Sequence, residues 1–401
     1  MNSRTLLLGL VFLSSSFNFA QTLQPMLLTE SGALLPIQAG LTLAMGSLLS
    51  GLMQPYIGNL LDHGRVKRGF SLVAICYALG VFGYWHASAP GWQLVISCLF
   101  IIMAGMTLRT IVSMALIASC QGSERAEAAS MRYLVSNAAL AVSASIALFL
   151  FKEWRRELLM VDFVTSLVLA GGMLYHLKKK MRDCGRPRTS LKESKAVLLE
   201  AMKTHGRRIT GLSLVTVCFS ANLTYIPLLF AKRGMATTDI SAMVLMMNAI
   251  IVILSAKPLR RLTRHWRPQR IGKIGTGLIA AGMCFAPLTS SINWVMLGIV
   301  IWTVGEVIFI PWEQLQLFNC FDNTTAGLAS GAVSFLFSIC QILAPVLSTA
   351  LLSLPDEVAA VVLTLLPIMG YWIYRTTEKP HSGVLVPVDY RSELANTETA
   401  A

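Results

Sequence analysis

Long apolar segments constrain this chain more than any other feature. A helix of about 20 apolar residues is long enough to cross the hydrocarbon core of a bilayer. The sequence contains twelve such segments, near 5–28, 34–57, 69–86, 91–119, 129–151, 157–177, 209–231, 240–257, 271–288, 291–316, 326–353 and 356–375. They predict an all-α membrane protein with twelve transmembrane helices.

The composition agrees with a lipid environment. Apolar residues make up 55% of the 401 residues and charged residues 13%, whereas soluble domains carry roughly 25% charged residues. The net charge of +13 could indicate nucleic-acid binding. In a membrane protein, however, cationic loops hold the helices in their orientation, and we therefore expect no nucleic-acid partner.

The first apolar segment has two interpretations. The stretch "MNSRTLLLGLVFLSSSFNFAQ" has the basic start and apolar centre of a secretory signal. Apolar character resumes after it, and the topology requires an odd helix at this place. We therefore expect a retained first membrane helix.

Basic loops predict the orientation of the helices. Arg and Lys are concentrated after the second, sixth and eighth segments, within 65–68, 178–208 and 257–273. The loops after odd-numbered segments are mostly neutral, with exceptions at 152–157 and 232–233. This asymmetry predicts a multi-pass protein of the plasma (bacterial inner) membrane with both termini in the cytoplasm.

The longest break between segments divides the chain into two halves. We expect an N-terminal six-helix bundle at 1–177, a basic cytoplasmic linker at 178–208, a C-terminal six-helix bundle at 209–376 and a cytoplasmic tail at 377–401. An apolar stripe within 191–203 predicts a short amphipathic helix on the membrane surface, and an irregular linker is the alternative. Matching basic loops after the second helix of each half indicate two parallel repeats.

The stretch "GNLLDHGRVKRG", at 58–69, follows the second apolar segment. Six residues of this stretch form a pattern that is typical of a known signature loop: Gly58, Leu60, Asp62, Gly64, Arg65 and Lys67. In position and spacing it resembles the signature loop of the major facilitator superfamily, with one residue fewer before the second Gly and with His63 where Arg is usual. The resemblance covers the whole chain and implies two six-helix bundles that alternate in access.

The same resemblance implies a cytoplasmic gate. Asp62 would meet the first turn of the eleventh helix, near 324–330, where the helix dipole favours an anion. Arg132, or alternatively Arg125, would complete the link, and Gly58 would leave room for close contact. The gate therefore comprises Gly58, Asp62, Gly64, Arg65, Lys67 and Arg132. We expect it to favour the outward-open state.

The fifth helix resembles one branch of that family. "SERAEAASMRYLVSNAALAVSASIA" is similar to the start of this helix in the twelve-helix drug–proton antiporters. Ser143 and Ala144 stand where that branch has a Gly-Pro pair. The helix is still rich in small residues, which permit close helix approach.

Charged side chains inside apolar segments are candidates for function, since they are costly in lipid. Arg109 could face a cavity, or it could extend to the cytoplasmic surface. Asp162 could pair with Arg109 or carry a proton, or it could lie at the membrane–water interface near the outer leaflet.

The tenth apolar segment carries two acids. Trp302, Glu306, Phe309 and Glu313 share one helical face, which suits a cavity for apolar or cationic solutes. Glu306 could instead be a structural acid, and Glu313 a solvated residue at the rim. Pro311 is expected to kink this helix.

Uncharged polar residues in the first helix of each half complete the candidate pathway: Gln21, Asn222 and Tyr225. In the family that the chain resembles, these helices line the cavity. Simple hydrogen bonding between helices is the alternative.

The sequence lacks the common motifs of metal sites and enzymes. The eight cysteines form no CxxC pair and lie near no His with metal-ligand spacing. No GxxxxGK[ST], HExxH or GxSxG stretch is present. We therefore expect no enzyme activity, no cofactor and no metal site.

Together these features predict a monomeric secondary active transporter for a small molecule. We expect protons to drive it through Asp162 or Glu306, and the export of an amphipathic or antibiotic-like solute. The alternatives are a proton-coupled importer of a small nutrient and a non-transporting membrane sensor on the same fold.

Overall fold

The computed structural model describes residues 7–12, 36–62, 66–86, 91–118, 124–150, 153–180, 191–234, 237–263, 265–318, 320 and 326–377. Every regular element within these ranges is helical. Each of the twelve apolar segments predicted from the sequence overlaps one of the helices below.

The helices are numbered in chain order. They are α1 (7–12), α2 (Pro36–Asp62), α3 (Val66–His86), α4 (Trp92–Ala118), α5 (Glu124–Leu150), α6 (Arg155–Lys180), α7 (Leu191–Lys232), α8 (Thr237–Thr263), α9 (Pro268–Met283), α10 (Ile292–Phe318), α11 (Ala326–Leu352) and α12 (Asp356–Thr376). A short helix, Phe285–Leu288, follows α9.

Length and composition identify membrane-spanning helices directly. Among the described residues, seven spans qualify, in α4, in α7 and α8, in α9 with the short helix, and in α10, α11 and α12. Shorter apolar stretches occur in α2 and α3, at Leu41–Gln54 and Phe70–His86. The all-α, multi-pass membrane fold predicted from the apolar segments is confirmed.

The start of α7 differs from the prediction. The amphipathic stretch expected at 191–203 is not a separate surface helix, because α7 runs for 42 residues from Leu191 to Lys232 without a break. Between 204 and 210 the chain has no proline and only one glycine, Gly206, so nothing there ends a helix. Residues 181–190 of the expected linker lie outside the described ranges.

The two halves pack in corresponding ways. In the first half, α4 packs against α2 and α3; in the second, α10 packs against α8 and α9. Each half has its own apolar core, one around Phe70 and Val112 and the other around Trp302 and Phe309. The halves meet where α2 packs along α11 and α5 packs along α8.

Glycines set the orientation of α10 by allowing its close approach to α9. A methyl group at Gly282 would lie 2.4 Å from the Trp302 backbone nitrogen and 2.5 Å from the Gly298 oxygen. A methyl group at Gly305 would lie 2.7 Å from the Ile279 nitrogen. Because Gly305 faces α9, the next residue, Glu306, is turned about 100° away from that contact.

Candidate functional site

Glu306 lies at the centre of a polar cluster in the middle of α10. Its side chain is only 5% exposed. Oε1 accepts a hydrogen bond from the Tyr133 hydroxyl at 2.9 Å. Oε2 accepts from Asn248 Nδ2 at 2.8 Å and from Trp302 Nε1 at 3.3 Å. The carboxyl group therefore has a donor on each oxygen.

These donors come from three helices and from both halves of the protein. Tyr133 lies on α5 of the first half, whereas Asn248 lies on α8 and Trp302 one turn before Glu306 on α10. Tyr133 also packs against the apolar core of the second half. The carboxyl group of Glu306 therefore links the two halves.

The chemistry of the cluster suits an ionised acid. An ionised carboxylate only accepts hydrogen bonds, and Nδ2 and Nε1 can only donate them. The Asn248 amide also donates to Thr303 Oγ1 at 3.0 Å, which fixes its orientation. Asn137 donates to the Tyr133 carbonyl at 2.9 Å, one turn along α5. The donors of the cluster are thus arranged in advance around the Glu306 carboxyl group.

Glu313 lies two turns after Glu306 on the same side of α10. Its side chain is 0% exposed, so it does not occupy a solvated rim. The Thr216 hydroxyl of α7 donates to Oε1, whereas Oε2 has no hydrogen-bond partner among the described residues. Electrostatic interaction also connects Glu313 with the Cys340 thiol of α11. This second acid is therefore enclosed within the second half.

Two glutamines near the end of α10 contact arginines, and the sequence interpretation missed both. Arg132 Nη2 of α5 donates to Gln314 Oε1 at 3.1 Å, which forms a second polar link between the halves. Arg208 Nη2 of α7 donates to Gln316 Oε1 and stacks over the Tyr374 ring at 5.4 Å. The run "WEQLQ" at 312–316, which places amides beside an acid inside an apolar helix, was the available signal.

The hydrogen-bond partner of Arg132 in the structure differs from the partner that was predicted for the gate. The prediction joined it to Asp62 and the first turn of α11, whereas the structure shows its hydrogen bond to Gln314. The surroundings of Gly58 and the side chains of Asp62 and Lys67 lie outside the described part of the chain, as do Gly64 and Arg65. The gate around Asp62 stays a prediction.

Asp162 and Arg109 belong to a separate cluster inside the first half. The Tyr77 hydroxyl of α3 donates to Asp162 Oδ2 on α6 at 2.9 Å. The charge of Arg109, on α4, acts on both Tyr77 and Asp162. The Asp162 side chain is buried and contacts α3 through Tyr77. The structure thus brings the predicted pair together, in a cluster distinct from that of Glu306.

Other residues of the predicted pathway face elsewhere. A methyl group at Gly275 would lie 2.9 Å from Phe309 Cβ, so Phe309 packs against α9. Helical periodicity placed Phe309 and Glu306 on one face of α10. The side chains on this face, between residues 302 and 313, can contact more than one neighbouring helix.

The residues predicted in α7 lie on its α12 face. Gly211 contacts the backbone of Gly370 in α12, and Asn222 follows it by 11 residues, about three turns along the same face. Tyr225 interacts electrostatically with Asp356 at the start of α12. Both side chains are buried, and their terminal polar atoms have no hydrogen-bond partner in the ranges that the structure describes. Gln21 lies outside the described residues.

The described residues form no candidate metal site. No group of three or more His, Cys, Asp or Glu residues among them could hold a metal ion. The cysteines at 76, 218, 284, 320 and 340 are free thiols.

Comparison with known proteins extends over nearly the whole chain. Residues 5–345 match the sequence model of the Major Facilitator Superfamily. No significant match was found among curated protein sequences.

Several solved structures share the fold. The human organic anion transporter MFSD10 (TETRAN) has a TM-score of 0.73 at 12% identity, covering 93% of this chain and 100% of that one. A POT family transporter in complex with a thioalcohol-conjugated peptide has a TM-score of 0.71 at 14% identity, covering 93% and 95%. A POT family transporter in complex with 5-aminolevulinic acid has a TM-score of 0.64 at 15% identity, covering 92% and 95%.

Proposed function

The chain belongs to the major facilitator superfamily, a family of membrane transport proteins, and on that basis we propose that it is a proton-coupled secondary active transporter working by alternating access. It is an integral, multi-pass membrane protein with a transporter fold. The proposal includes a plasma (bacterial inner) membrane location with both termini in the cytoplasm, since the basic loops favour that orientation.

The hydrogen bond between Glu306 and Tyr133 carries the proposal. It joins a buried acid of the second half to the hydroxyl of a partly buried tyrosine of the first half at 2.9 Å. Alternating access requires the two halves to move apart on one side of the membrane, so this bond has to break during the cycle. A proton or a cationic group at Glu306 would neutralise the acceptor and weaken the link, which couples charge to opening.

The surroundings of Glu306 favour a particular kind of solute. A carboxylate beside Trp302 and Tyr133 suits a small amphipathic molecule with a cationic or hydrogen-bond-donating group. One of the similar solved structures is in complex with a thioalcohol-conjugated peptide, and another is an organic anion transporter. Their likeness is one of fold, so the solute class rests on the side chains of this site.

Export is the proposed direction. The acids and aromatic residues of α10 and the antiporter-like start of α5 support it. Import of a small nutrient is the alternative direction, and a sensor without transport activity is the alternative class.

Transport into membrane vesicles tests these proposals. Everted vesicles containing the protein are supplied with a panel of small fluorescent amphipathic solutes, with and without an imposed proton gradient. Export predicts gradient-dependent uptake into everted vesicles. Import predicts uptake into right-side-out vesicles instead, and an absence of flux in both preparations would overturn transport in favour of a sensor.

The variant Glu306→Gln tests the role of the acid. It is nearly isosteric but cannot carry the charge, so gradient-driven flux should be abolished while the protein still inserts in the membrane. Glu357→Gln is the matched control, because Glu357 is an exposed acid at the start of α12. Normal flux in Glu306→Gln would remove this residue from the mechanism.

A further inference from the structure

The two acids of α10 differ in how their oxygens are satisfied. Both are buried and lie two turns apart on the same side of the helix. Glu306 accepts three hydrogen bonds, divided between its two oxygens. Within the described part of the chain, Glu313 accepts one, from Thr216, and its Oε2 has no partner.

An ionised acid at Glu313 would be poorly stabilised. A buried carboxylate requires several donors or a cation, because it loses the water that would otherwise surround it. In the described part of the chain, no Lys or Arg forms an ion pair with Glu313. A carboxylic acid in the same place needs fewer partners, since its carbonyl oxygen, Oε1, accepts the hydrogen bond from Thr216 while Oε2 carries the proton.

The groups around Glu313 are nearly all neutral. Thr216 approaches from α7 and the Cys340 thiol from α11. Cys340 also donates to the Ser213 carbonyl at 3.5 Å and interacts with the Cys218 thiol behind it. The nearest charged side chain on this part of α7, Arg208, is bound to Gln316 instead.

From this contrast we infer that Glu313 is a proton-binding site, which holds a neutral carboxylic acid in this conformation while Glu306 stays ionised. The step is the addition of one proton to one carboxylate oxygen of Glu313, and its reversal releases the proton. The role of this proton in driving transport rests on the proposed function, whereas its presence on Glu313 does not.

The site suits a proton rather than a metal cation. Hard cations require several oxygen ligands around them. Beyond its own carboxylate, Glu313 is offered one hydroxyl, from Thr216, and a thiol from Cys340. Its Oε2 is enclosed by protein, which leaves no place for a hydrated ion.

Infrared difference spectroscopy tests the protonation state independently of transport. The purified, lipid-reconstituted protein is titrated with base, and the carbonyl band of protonated carboxylic acids is followed. The spectrum of the unsubstituted protein at neutral pH should contain a band that Glu313→Gln removes and that Glu306→Gln leaves in place. An unchanged band in Glu313→Gln would overturn the inference, as would a shift produced by sodium ions at fixed pH.

A second variant covers the case in which Glu313→Gln does not fold. Thr216→Val keeps the shape of the side chain but removes its hydroxyl, so the acid loses its one described hydrogen-bond partner. The carbonyl band should then persist and move to the higher frequency of a free acid. A band that neither moves nor changes in intensity would show that it does not arise from Glu313.

Transport measurements then separate the two proposals. Glu313→Gln should retain solute exchange at equal concentrations but lose accumulation driven by a proton gradient. Loss of both activities in Glu313→Gln would contradict a role confined to coupling. If the infrared band is lost but the unsubstituted protein transports nothing, the proton site stands and the proposed function fails.

Discussion

Removal of the Tyr133 hydroxyl is the most direct perturbation of the link between the halves. Tyr133→Phe keeps the ring that packs against the core of the second half and deletes only the donor to Glu306 Oε1. No other hydrogen bond to Oε1 is described, because Asn248 and Trp302 both donate to Oε2. The substitution should therefore destabilise this conformation relative to one in which the halves have separated.

The magnitude follows from the type of hydrogen bond. A hydrogen bond to a charged group stabilises by about 1.5–3 kcal/mol, against about 0.5–1.5 kcal/mol between neutral groups. Since 1.4 kcal/mol corresponds to a factor of ten, the equilibrium should move away from this conformation by roughly 10- to 150-fold. Tyr133 is only partly buried, which favours the lower end of that range.

Distances between spin labels measure this equilibrium. Glu153→Cys and Glu357→Cys place labels at exposed positions, one before α6 in the first half and one at the start of α12 in the second. The distance distribution across the two halves should gain a second population in Tyr133→Phe. Tyr175→Phe, at an exposed tyrosine on α6, is the matched control and should leave the distribution unchanged.

A thermodynamic cycle with Glu306→Gln can refute the reasoning. In that background the oxygen is neutral, so Tyr133→Phe should shift the equilibrium by only about 0.5–1.5 kcal/mol. Equal shifts in the two backgrounds would show that the charge of Glu306 contributes nothing to the link. An unchanged distance distribution in Tyr133→Phe alone would show that the hydrogen bond does not hold the halves together.

Two further predictions concern stability and are checked by thermal unfolding of the purified protein. Gly282→Ala should destabilise by about 1–3 kcal/mol, because its methyl group would meet the backbone of α10 at Trp302 and Gly298. The control Gly277→Ala, which meets nothing within 4 Å, should be neutral or slightly stabilising, and equal effects of the two variants would contradict the close packing of α9 on α10. Arg233→Ala should destabilise more than Asp356→Ala, because Arg233 donates to the Thr289 carbonyl at 2.7 Å as well as to Asp356 at 3.0 Å. The ion pair is partly exposed and contributes about 1 kcal/mol or less, so an equal loss in the two variants would show that the carbonyl contact is unimportant.

The sequence alone determined the class of fold. Apolar segments of about 20 residues allow few structures, since the bilayer requires every backbone polar group to be satisfied within a helix or a closed barrel. For the same reason, an acid such as Glu306 inside such a segment was identifiable without any knowledge of its neighbours. The length of α7 was missed because periodicity shows where a helix becomes amphipathic, whereas only a breaking residue shows where it ends.

The tertiary structure alone decided which partners each polar side chain meets. Helical spacing placed Phe309 and Glu306 on one stripe, but only the tertiary structure shows that Phe309 packs against Gly275 of α9. Spacing likewise could not show that Glu306 is tied to Tyr133 of the other half, while Glu313 is left with one partner. Such differences arise from contacts between residues more than 90 positions apart in the chain. Hydrophobic periodicity along the chain cannot predict such contacts. They distinguish Glu306, which we propose to be ionised, from Glu313, which we propose to carry a proton.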